Sequence, residues 1–191
     1  MTRTVYYTAT SLDGFIADER HSLDWLLSRH SDEHGPMGYA EFEKQVGALA
    51  MGATTYEWVQ EHGGSEAWSY TVPAWVFTHR QLTLYPEADI RFTAADVAEV
   101  HAQMVAAAGD RDVWIVGGGD LAGQFADRGL LDEVVVAIAP VTLGGGAPLL
   151  PRRLELRRTE EAVNGEFVCV RYDVVRPGAE GLSGARGSGS A

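Results

Sequence analysis

Three consecutive glycines stand between a strand-like run and a helix-like segment. The apolar residues 113–116 lead into Gly117, Gly118 and Gly119, and then into Asp120 and Leu121. Glycines let a phosphate-bearing ligand approach the backbone, and a helix start offers unpaired N–H groups and the positive end of its dipole. The pattern is typical of a pyrophosphate site, although Ala122 replaces the last glycine of the dinucleotide fingerprint. A tight turn without a ligand is the alternative interpretation.

A second corner of the same kind follows another apolar run. Met51 and Gly52 end that run, and Thr54 and Thr55 stand in the first turn of the next helix-like segment. Hydroxyl groups and free N–H groups at such a position suit a phosphate. The competing interpretation is that one of the threonines simply caps the helix.

A polar triplet follows the strand predicted at residues 74–78. It consists of Thr78, His79 and Arg80. Open α/β sheets bind ligands at the carboxyl ends of their strands, and arginine suits bidentate contact with phosphate. A solvated charged loop is the alternative.

Three residues are candidates for proton transfer: Asp13, Asp24 and Tyr39. Asp13 precedes Gly14 in a turn flanked by small residues, so its default role is to form that turn. Water is an alternative proton source. Four aromatic residues could stack on a flat substrate or belong to the core: Trp25, Tyr39, Phe42 and Trp58.

The elements that must position these residues alternate along the chain. We predict strands at 3–9, 74–78, 90–93, 113–116, 133–139 and 167–175, and a short apolar run at 48–51. Helices are predicted at 39–46, at 121–126, and from Thr54 or Thr55 to 61, where Gly63 stops the helix. One more helix is predicted to follow Thr93 as its cap and to end at 108. Apolar strands alternating with helices indicate an α/β fold with a largely parallel sheet buried on both faces. We assign residues 1–175 to one domain and 176–191 to a disordered tail rich in Gly, Ser and Ala.

Composition narrows the class of protein. The 191 residues fit one domain, and the net charge of -12 argues against nucleic-acid or anionic-membrane partners. Cys169 is the only cysteine, which excludes an intrachain disulfide and a cysteine-based zinc site. We predict no metal site, no signal peptide, no membrane span and a cytoplasmic location.

Six motifs, taken in order, resemble the dihydrofolate reductase superfamily. The matching residues are 11–17, Asp24 with Trp25, Met51-Gly52 with Thr55 to Glu57, 76–78, 116–119, and Asp132-Glu133 leading through Pro140 to Gly146. The nearest branch looks like stand-alone proteins similar to the C-terminal reductase domain of the bifunctional riboflavin-biosynthesis deaminase/reductase. The similarity extends from about residue 3 to 175.

This resemblance implies a mostly parallel sheet of about eight strands flanked by helices, with an antiparallel C-terminal strand. It also implies NADPH across the carboxyl ends of the strands. Ala9, Ile16 and Ala17 would lie near the nicotinamide. Phosphates would be held by Gly52, Thr54 and Thr55, and by Gly117, Gly118, Gly119, Asp120 and Leu121. Thr78, His79 and Arg80 would face the adenosine ribose and any 2′-phosphate.

The sequence departs from the family pattern at two positions. Dihydrofolate reductases carry a substrate-binding carboxylate whose place falls here near Pro36, with Asp32, Glu33 and Glu41 off register. Ala53 stands where the family commonly has an arginine that helps to hold the 2′-phosphate. Arg80 is the only obvious replacement for that arginine, so NADH is not excluded as the cofactor. The deaminase zinc motif of the bifunctional enzyme cannot form with one cysteine.

We therefore expect an NADPH-dependent reductase that transfers hydride to a small heterocyclic (pyrimidine- or pterin-like) or carbonyl substrate. A non-catalytic nucleotide-binding protein, a true dihydrofolate reductase and a structural homodimer with merely structural glycine turns are the alternatives. By resemblance we also expect the reductase to be a homodimer.

Overall fold

The computed structural model describes residues 1–62 and 68–176. The strands are β1 (Thr4–Ser11), β2 (Phe15–Ala17), β3 (Val46–Gly52), β4 (Ala74–Phe77), β5 (Ile90–Thr93), β6 (Asp112–Gly117), β7 (Glu133–Ala139), β8 (Ala147–Pro148), β9 (Leu156–Asn164) and β10 (Phe167–Val174). The helices are α1 (Asp24–Leu27), α2 (Tyr39–Lys44), α3 (Ala53–His62), α4 (Val97–Ala108) and α5 (Gly119–Asp127). The predicted helix stop at Gly63 and the predicted tail beyond Arg176 lie outside the described residues.

Eight strands form one sheet in the order β5-β4-β3-β6-β1-β7-β10-β9. Every pairing from β5 to β7 is parallel, whereas β10 is antiparallel to both β7 and β9. The sequence prediction of a mostly parallel sheet with an antiparallel C-terminal strand is confirmed. A second antiparallel strand, β9, was not predicted, because this edge strand is exposed at nearly every position and lacks an apolar alternation.

The beginnings of three helices differ from the prediction. Asp96, and not Thr93, caps α4, since its carboxylate accepts a 2.9 Å hydrogen bond from the Ala98 N–H. Thr93 belongs to β5. Helix α3 begins at Ala53, so neither threonine behind it is the cap. Helix α5 begins at Gly119, so the third glycine of the triplet is helical.

Alternating side chains along the strands divide the core between the two faces of the sheet. On one face, Tyr6 and Ile115 pack with Met104 of α4 and Phe125 of α5. On the other, Val5 and Trp114 pack with Phe42 of α2 and Tyr56 of α3. The helices therefore cover both faces, as expected for a parallel sheet.

A buried carboxylate ties the amino end of β7 to its neighbours. The Glu133 side chain is 3% exposed and forms ion pairs with Arg3 before β1 and Arg171 of β10. Arg171 also contacts the exposed carboxylate of Glu160 on β9. These ion pairs connect β1, β7, β10 and β9 at the end of the sheet opposite the carboxyl ends of the parallel strands.

Glu133→Gln should destabilise the fold, because it leaves two guanidinium groups facing a neutral amide. We expect the free energy of unfolding to fall by about 2 kcal/mol, less than for a fully buried pair because both arginines are partly exposed. Urea unfolding measures this change. Glu160→Gln is the matched control and should cost less than about 0.5 kcal/mol. Equal losses of unfolding free energy in Glu133→Gln and Glu160→Gln would contradict the conclusion that the buried carboxylate contributes more than the exposed one.

Candidate functional site

Two glycine corners meet at the carboxyl edge of the sheet. Strands β3 and β6 are parallel neighbours, and each passes directly into a helix, α3 or α5. A Cβ atom added to Gly52 would lie 3.9 Å from the carbonyl oxygen of Gly117 and 4.0 Å from the amide nitrogen of Gly118. The two glycine corners, which were identified separately in the sequence, are therefore adjacent in space. The N-termini of α3 and α5 lie beside them.

The glycines of these corners differ in what surrounds them. A Cβ on Gly118 would meet only Ile16, at 3.9 Å, and Gly52 is equally open. A Cβ on Gly119 would lie 2.3 Å from the carbonyl oxygens of both Pro148 and Leu149. Gly119 is therefore required by packing, whereas Gly52 and Gly118 leave open space above the backbone.

Other residues predicted at these corners have distinct surroundings. Thr54 is exposed, while the Thr55 hydroxyl would lie 3.2 Å from a Cβ on Gly117. Leu121 is buried in the core, so only its backbone can face a ligand. Asp120 accepts hydrogen bonds from Gln124 and from Arg152.

Arg80 is held against α3, the helix that starts after Gly52. Its guanidinium donates two hydrogen bonds to Glu57 of α3, at 3.1 and 2.9 Å. The Thr78 hydroxyl accepts a 2.9 Å hydrogen bond from the Arg80 N–H, and His79 is exposed. The segment from Thr78 to Arg80 therefore places one guanidinium group beside α3, and this group is already paired with the carboxylate of Glu57.

A cavity of about 300 Å³ opens on the sheet face that carries α2. Its floor consists of side chains from β1, β6, β7 and β10: Tyr7, Ala9, Trp114, Val116, Ala137 and Cys169. Val116 directly precedes the glycine triplet, which joins this cavity to the glycine corners. Of the three residues implied to lie near a nicotinamide, Ala9 lines the cavity, Ile16 approaches Gly118, and Ala17 pairs with Ala147 of β8.

The segment between α1 and α2 covers this cavity and carries two carboxylates. Asp32 and Glu33 both belong to the lining, whereas Glu41 lies on α2 and pairs with Lys44 at 2.5 Å. Counting residues back from the Met-Gly motif placed the carboxylate near Pro36 and set Asp32 and Glu33 aside. The segment that holds these positions is not helical, and it brings Asp32 and Glu33, rather than Pro36, to the lining of the cavity.

Asn164, which the sequence analysis missed, fixes the covering segment. Its buried amide accepts a hydrogen bond from the Asp32 N–H at 2.8 Å and donates to the carbonyl oxygens of Asp32, at 2.9 Å, and Pro36, at 3.2 Å. Asn164 ends β9 and precedes Gly165. An Asn-Gly pair between two strands is a hairpin signal that could have identified this turn.

Only one of the three proton-transfer candidates lies at the cavity. Tyr39 lines it and donates a hydrogen bond to Glu43 at 3.2 Å, and burial raises the pKa of its hydroxyl. Burial likewise raises the pKa of the neighbouring Tyr7 to about 12. Asp24 is exposed on α1 and is not part of the lining.

The predicted stacking residues are divided between the core and the surface. Phe42 stacks on Tyr7 with ring centroids 4.1 Å apart, and Trp25 packs with Phe167 beneath the cavity. Trp58 stacks on His62. Tyr39 alone among the four lines the cavity itself.

Asp13 joins two loops and does not face the cavity. Its carboxylate accepts hydrogen bonds from the Ser11 hydroxyl at 2.6 Å, the Leu143 N–H at 3.0 Å and the Gly144 N–H at 2.7 Å. These bonds, that from Ser11 first, lower the pKa of Asp13 to about 2. Asp13 is therefore ionised at neutral pH and serves as the turn former that the sequence favoured.

The strand order and direction define a fold of the dihydrofolate-reductase-like class. The chain belongs to the family of the RibD C-terminal domain, whose model matches residues 65–168. It is 31% identical over 179 residues to the uncharacterized protein YwjB of Bacillus subtilis, which covers 89% of this chain and 97% of that protein.

Solved structures agree with this assignment. A putative riboflavin biosynthesis protein from Shewanella sp. PV-4 is 28% identical, with a TM-score of 0.76 over 92% of this chain and 100% of that one. Two structures share the fold at lower identity. The Thermotoga maritima deaminase/5-amino-6-(5-phosphoribosylamino)uracil reductase is 16% identical (TM-score 0.59, 91% and 57% covered). Dihydrofolate reductase from Enterococcus faecalis, complexed with NADP(H), is 15% identical (TM-score 0.58, 90% and 96% covered).

No helix within residues 1–62 and 68–176 is long and apolar enough to cross a membrane.

Asp13 should contribute to the acid sensitivity of the fold. Because its pKa is about 2 in the folded chain and 3.8 ordinarily, its stabilisation is complete above pH 3.8 and is lost as the pH falls towards 2. Asp13→Asn should therefore flatten the decline in the free energy of unfolding over this range, measured by urea titration at each pH. Asp24→Asn, at an exposed position, is the control and should keep the original slope. An unchanged slope in Asp13→Asn would contradict the assigned bonds.

Proposed function

We propose that this chain is an NADPH-dependent reductase that transfers hydride to a small heterocyclic, pyrimidine- or pterin-like, or carbonyl substrate. The observation that carries the proposal is the pair of uncrowded glycines, Gly52 and Gly118, at adjacent helix starts on the same sheet as an open cavity. Neither glycine is required by its own packing, so the open space is free for a ligand. Family membership and the NADP(H) complex of the Enterococcus enzyme support the same interpretation.

The residues at the corners fit the phosphate groups of a dinucleotide. Backbone N–H groups at the starts of α3 and α5 are unpaired donors within their helices, and the helix dipoles favour an anion there. Gly52, Thr54 and Thr55 would hold one phosphate, and residues 117–121 the other. Thr78, His79 and Arg80 would face the adenosine ribose and its 2′-phosphate. Ala9, Ile16 and Ala17 would border the nicotinamide.

Bound NADPH would supply the hydride, and the chain would supply orientation and exclusion of water. The cavity floor is largely aromatic and aliphatic, which favours a flat ring over solvent. Because burial raises the pKa of Tyr39, its hydroxyl stays protonated. Its single proton is donated to Glu43, so its oxygen is left to accept a hydrogen bond from a ligand. Asp32 and Glu33 can accept hydrogen bonds from substrate N–H groups.

Dihydrofolate reduction is the second candidate function. The sequence has no carboxylate at the family position near Pro36, and the presence of Asp32 and Glu33 among the cavity-lining residues supports this candidate. They equally weaken the argument for a non-catalytic nucleotide-binding protein. Oxidation of NADPH followed with dihydrofolate as acceptor distinguishes this candidate from other acceptors. The expected homodimer belongs to the proposal, and its mass in solution tests it.

Gly118→Ala should block the cofactor without disturbing the fold, because the new methyl group fills open space above the backbone. We expect NADPH affinity to fall by about tenfold or more, as the methyl group excludes a phosphate. Tryptophan fluorescence titration measures binding, and thermal unfolding should be nearly unchanged. Gly119→Ala is the comparison, since it should destabilise the fold by clashing with Pro148 and Leu149. Unchanged affinity in Gly118→Ala would refute the phosphate site.

Arg80 and Glu57 should set the preference between the two nicotinamide cofactors. Arg80→Ala should weaken NADPH and leave NADH nearly unchanged, because only NADPH carries the 2′-phosphate. Glu57→Gln should strengthen NADPH relative to NADH, because the guanidinium loses its competing carboxylate. The ratio of the two dissociation constants is the measurement. Parallel weakening of both cofactors by Arg80→Ala would contradict this assignment.

A further inference from the structure

The side chain of Arg152 lies along α5, the helix that starts at the glycine triplet. Its Nε donates a hydrogen bond to the Asp127 carboxylate at 2.8 Å, and its Nη2 donates to the Asp120 carboxylate at 3.0 Å. Its Nη1 donates to the carbonyl oxygen of Pro151 at 2.8 Å. Because all three nitrogens of the guanidinium are held, its positive charge has a fixed place between the first and the last turn of α5.

A glycine inside α5 makes room for this side chain. A Cβ atom added to Gly123 would lie 2.8 Å from Cγ of Arg152 and 3.2 Å from its Cζ and Nε. Gly123 is buried within the helix, where glycine is less favourable than alanine. The helix therefore has its weaker helix former at the position where Arg152 rests on the backbone.

The carboxylate that Arg152 contacts stands at the start of the helix. Asp120 belongs to the first turn of α5 and follows Gly119 directly. Its hydrogen bonds from Gln124 and then from Arg152 lower its pKa, so the group is ionised at neutral pH. An isolated carboxylate at this place would oppose a phosphate at the same helix start, since like charges at short range repel.

Both glycine corners have a carboxylate that is paired with an arginine from another part of the chain. Glu57 of α3 pairs with Arg80, and Asp120 of α5 pairs with Arg152. The two guanidinium groups differ in burial, because the side chain of Arg80 is 54% exposed and that of Arg152 is 29% exposed. Solvent ions screen a partly buried charge less than an exposed one, so the pair on α5 interacts more strongly.

From these observations we propose that Arg152 neutralises Asp120 and thereby allows the start of α5 to hold the pyrophosphate group of a dinucleotide. Arg152 is thus a positioning residue that acts through Asp120, and the phosphate is held by the N–H groups and the dipole of the helix. This inference rests on the proposed function and adds a residue to the same site. Because NADPH and NADH carry the same pyrophosphate, Arg152 should affect both cofactors equally, whereas Arg80 should affect NADPH alone.

Gly123→Ala tests the role of Arg152 without removing its charge. The new methyl group displaces the Arg152 side chain from α5, while alanine itself favours the helix. We expect NADPH and NADH each to bind about fivefold more weakly, with no fall in the thermal unfolding temperature. Tryptophan fluorescence titration measures binding. A merely structural role of Arg152 would lower stability and leave the dissociation constants unchanged.

Arg152→Ala is the second variant, and it should weaken both cofactors to the same extent as Gly123→Ala. Arg152→Lys should restore most of the affinity, because it keeps the positive charge. Arg153→Ala is the matched control, since it removes the same charge from the adjacent residue, whose side chain is 93% exposed and lies 3.6 Å from Glu155. This control should leave both dissociation constants unchanged.

A double-mutant cycle tests whether Arg152 acts through Asp120. In the Asp120→Asn background the opposing charge is absent, so Arg152→Ala should cost little affinity there. An equal cost in the two backgrounds would overturn the route through Asp120. Unchanged affinity for both cofactors in Gly123→Ala and in Arg152→Ala would overturn the inference and leave the proposed function intact.

Inorganic pyrophosphate separates failure of this inference from failure of the proposed function. If the unaltered chain binds neither NADPH nor NADH, the proposed function fails, and pyrophosphate is then titrated by calorimetry as a probe of the same corner. Pyrophosphate binding that weakens in Arg152→Ala and persists in Arg153→Ala would support the role of Arg152. Pyrophosphate binding that is equal in both variants, or absent from the unaltered chain, would overturn it.

Discussion

Parallel pairing of the strands from β5 to β7 is the constraint on which the candidate site depends. Because these strands run in one direction, their carboxyl ends meet at one edge, and every helix that follows a strand starts there. Gly52 and Gly118 are 66 positions apart in the chain and yet adjacent in space, since β3 and β6 are neighbours. The ion pairs of Glu133 lie at the opposite ends of the strands, so these ion pairs and the candidate site are separated by the length of the same strands.

The cavity has a different origin, because one wall comes from an irregular segment that is held in part by a distant hairpin. Residues 28–38 lack the backbone ladder of a helix or strand, and the hairpin at the end of β9 supplies the missing partners. Asn164 suits this task since an amide donates and accepts at once, matching the N–H and C=O of Asp32. The first and last parts of the domain therefore complete the cavity together.

The sequence predicted what depends on local pattern and missed what depends on distant contacts. Strand β7 was predicted with its observed bounds because its apolar residues are continuous, and both glycine corners were located because glycine marks each turn. Strand β9 was missed because an exposed edge has no apolar period. A residue count placed Asp32 and Glu33 off the family register, and such a count does not show which residues of an irregular segment line a cavity. The tight packing of Gly119 depends on Pro148 and Leu149, which no local pattern reveals.

Electrostatics gives the two halves of the candidate site opposite preferences. The chain carries a net charge of -12, so an anion can be held only where local groups outweigh the general field. At the glycine corners those groups are the starts of α3 and α5, because the charge of Arg80 is already paired with Glu57. The charged residues that line the cavity are Asp32 and Glu33. A dinucleotide phosphate and a substrate N–H group would each meet complementary partners, and exchanging them would place like charges together. The charge pattern thus favours one orientation of ligands across the carboxyl ends of the strands, with an anionic group at the glycine corners.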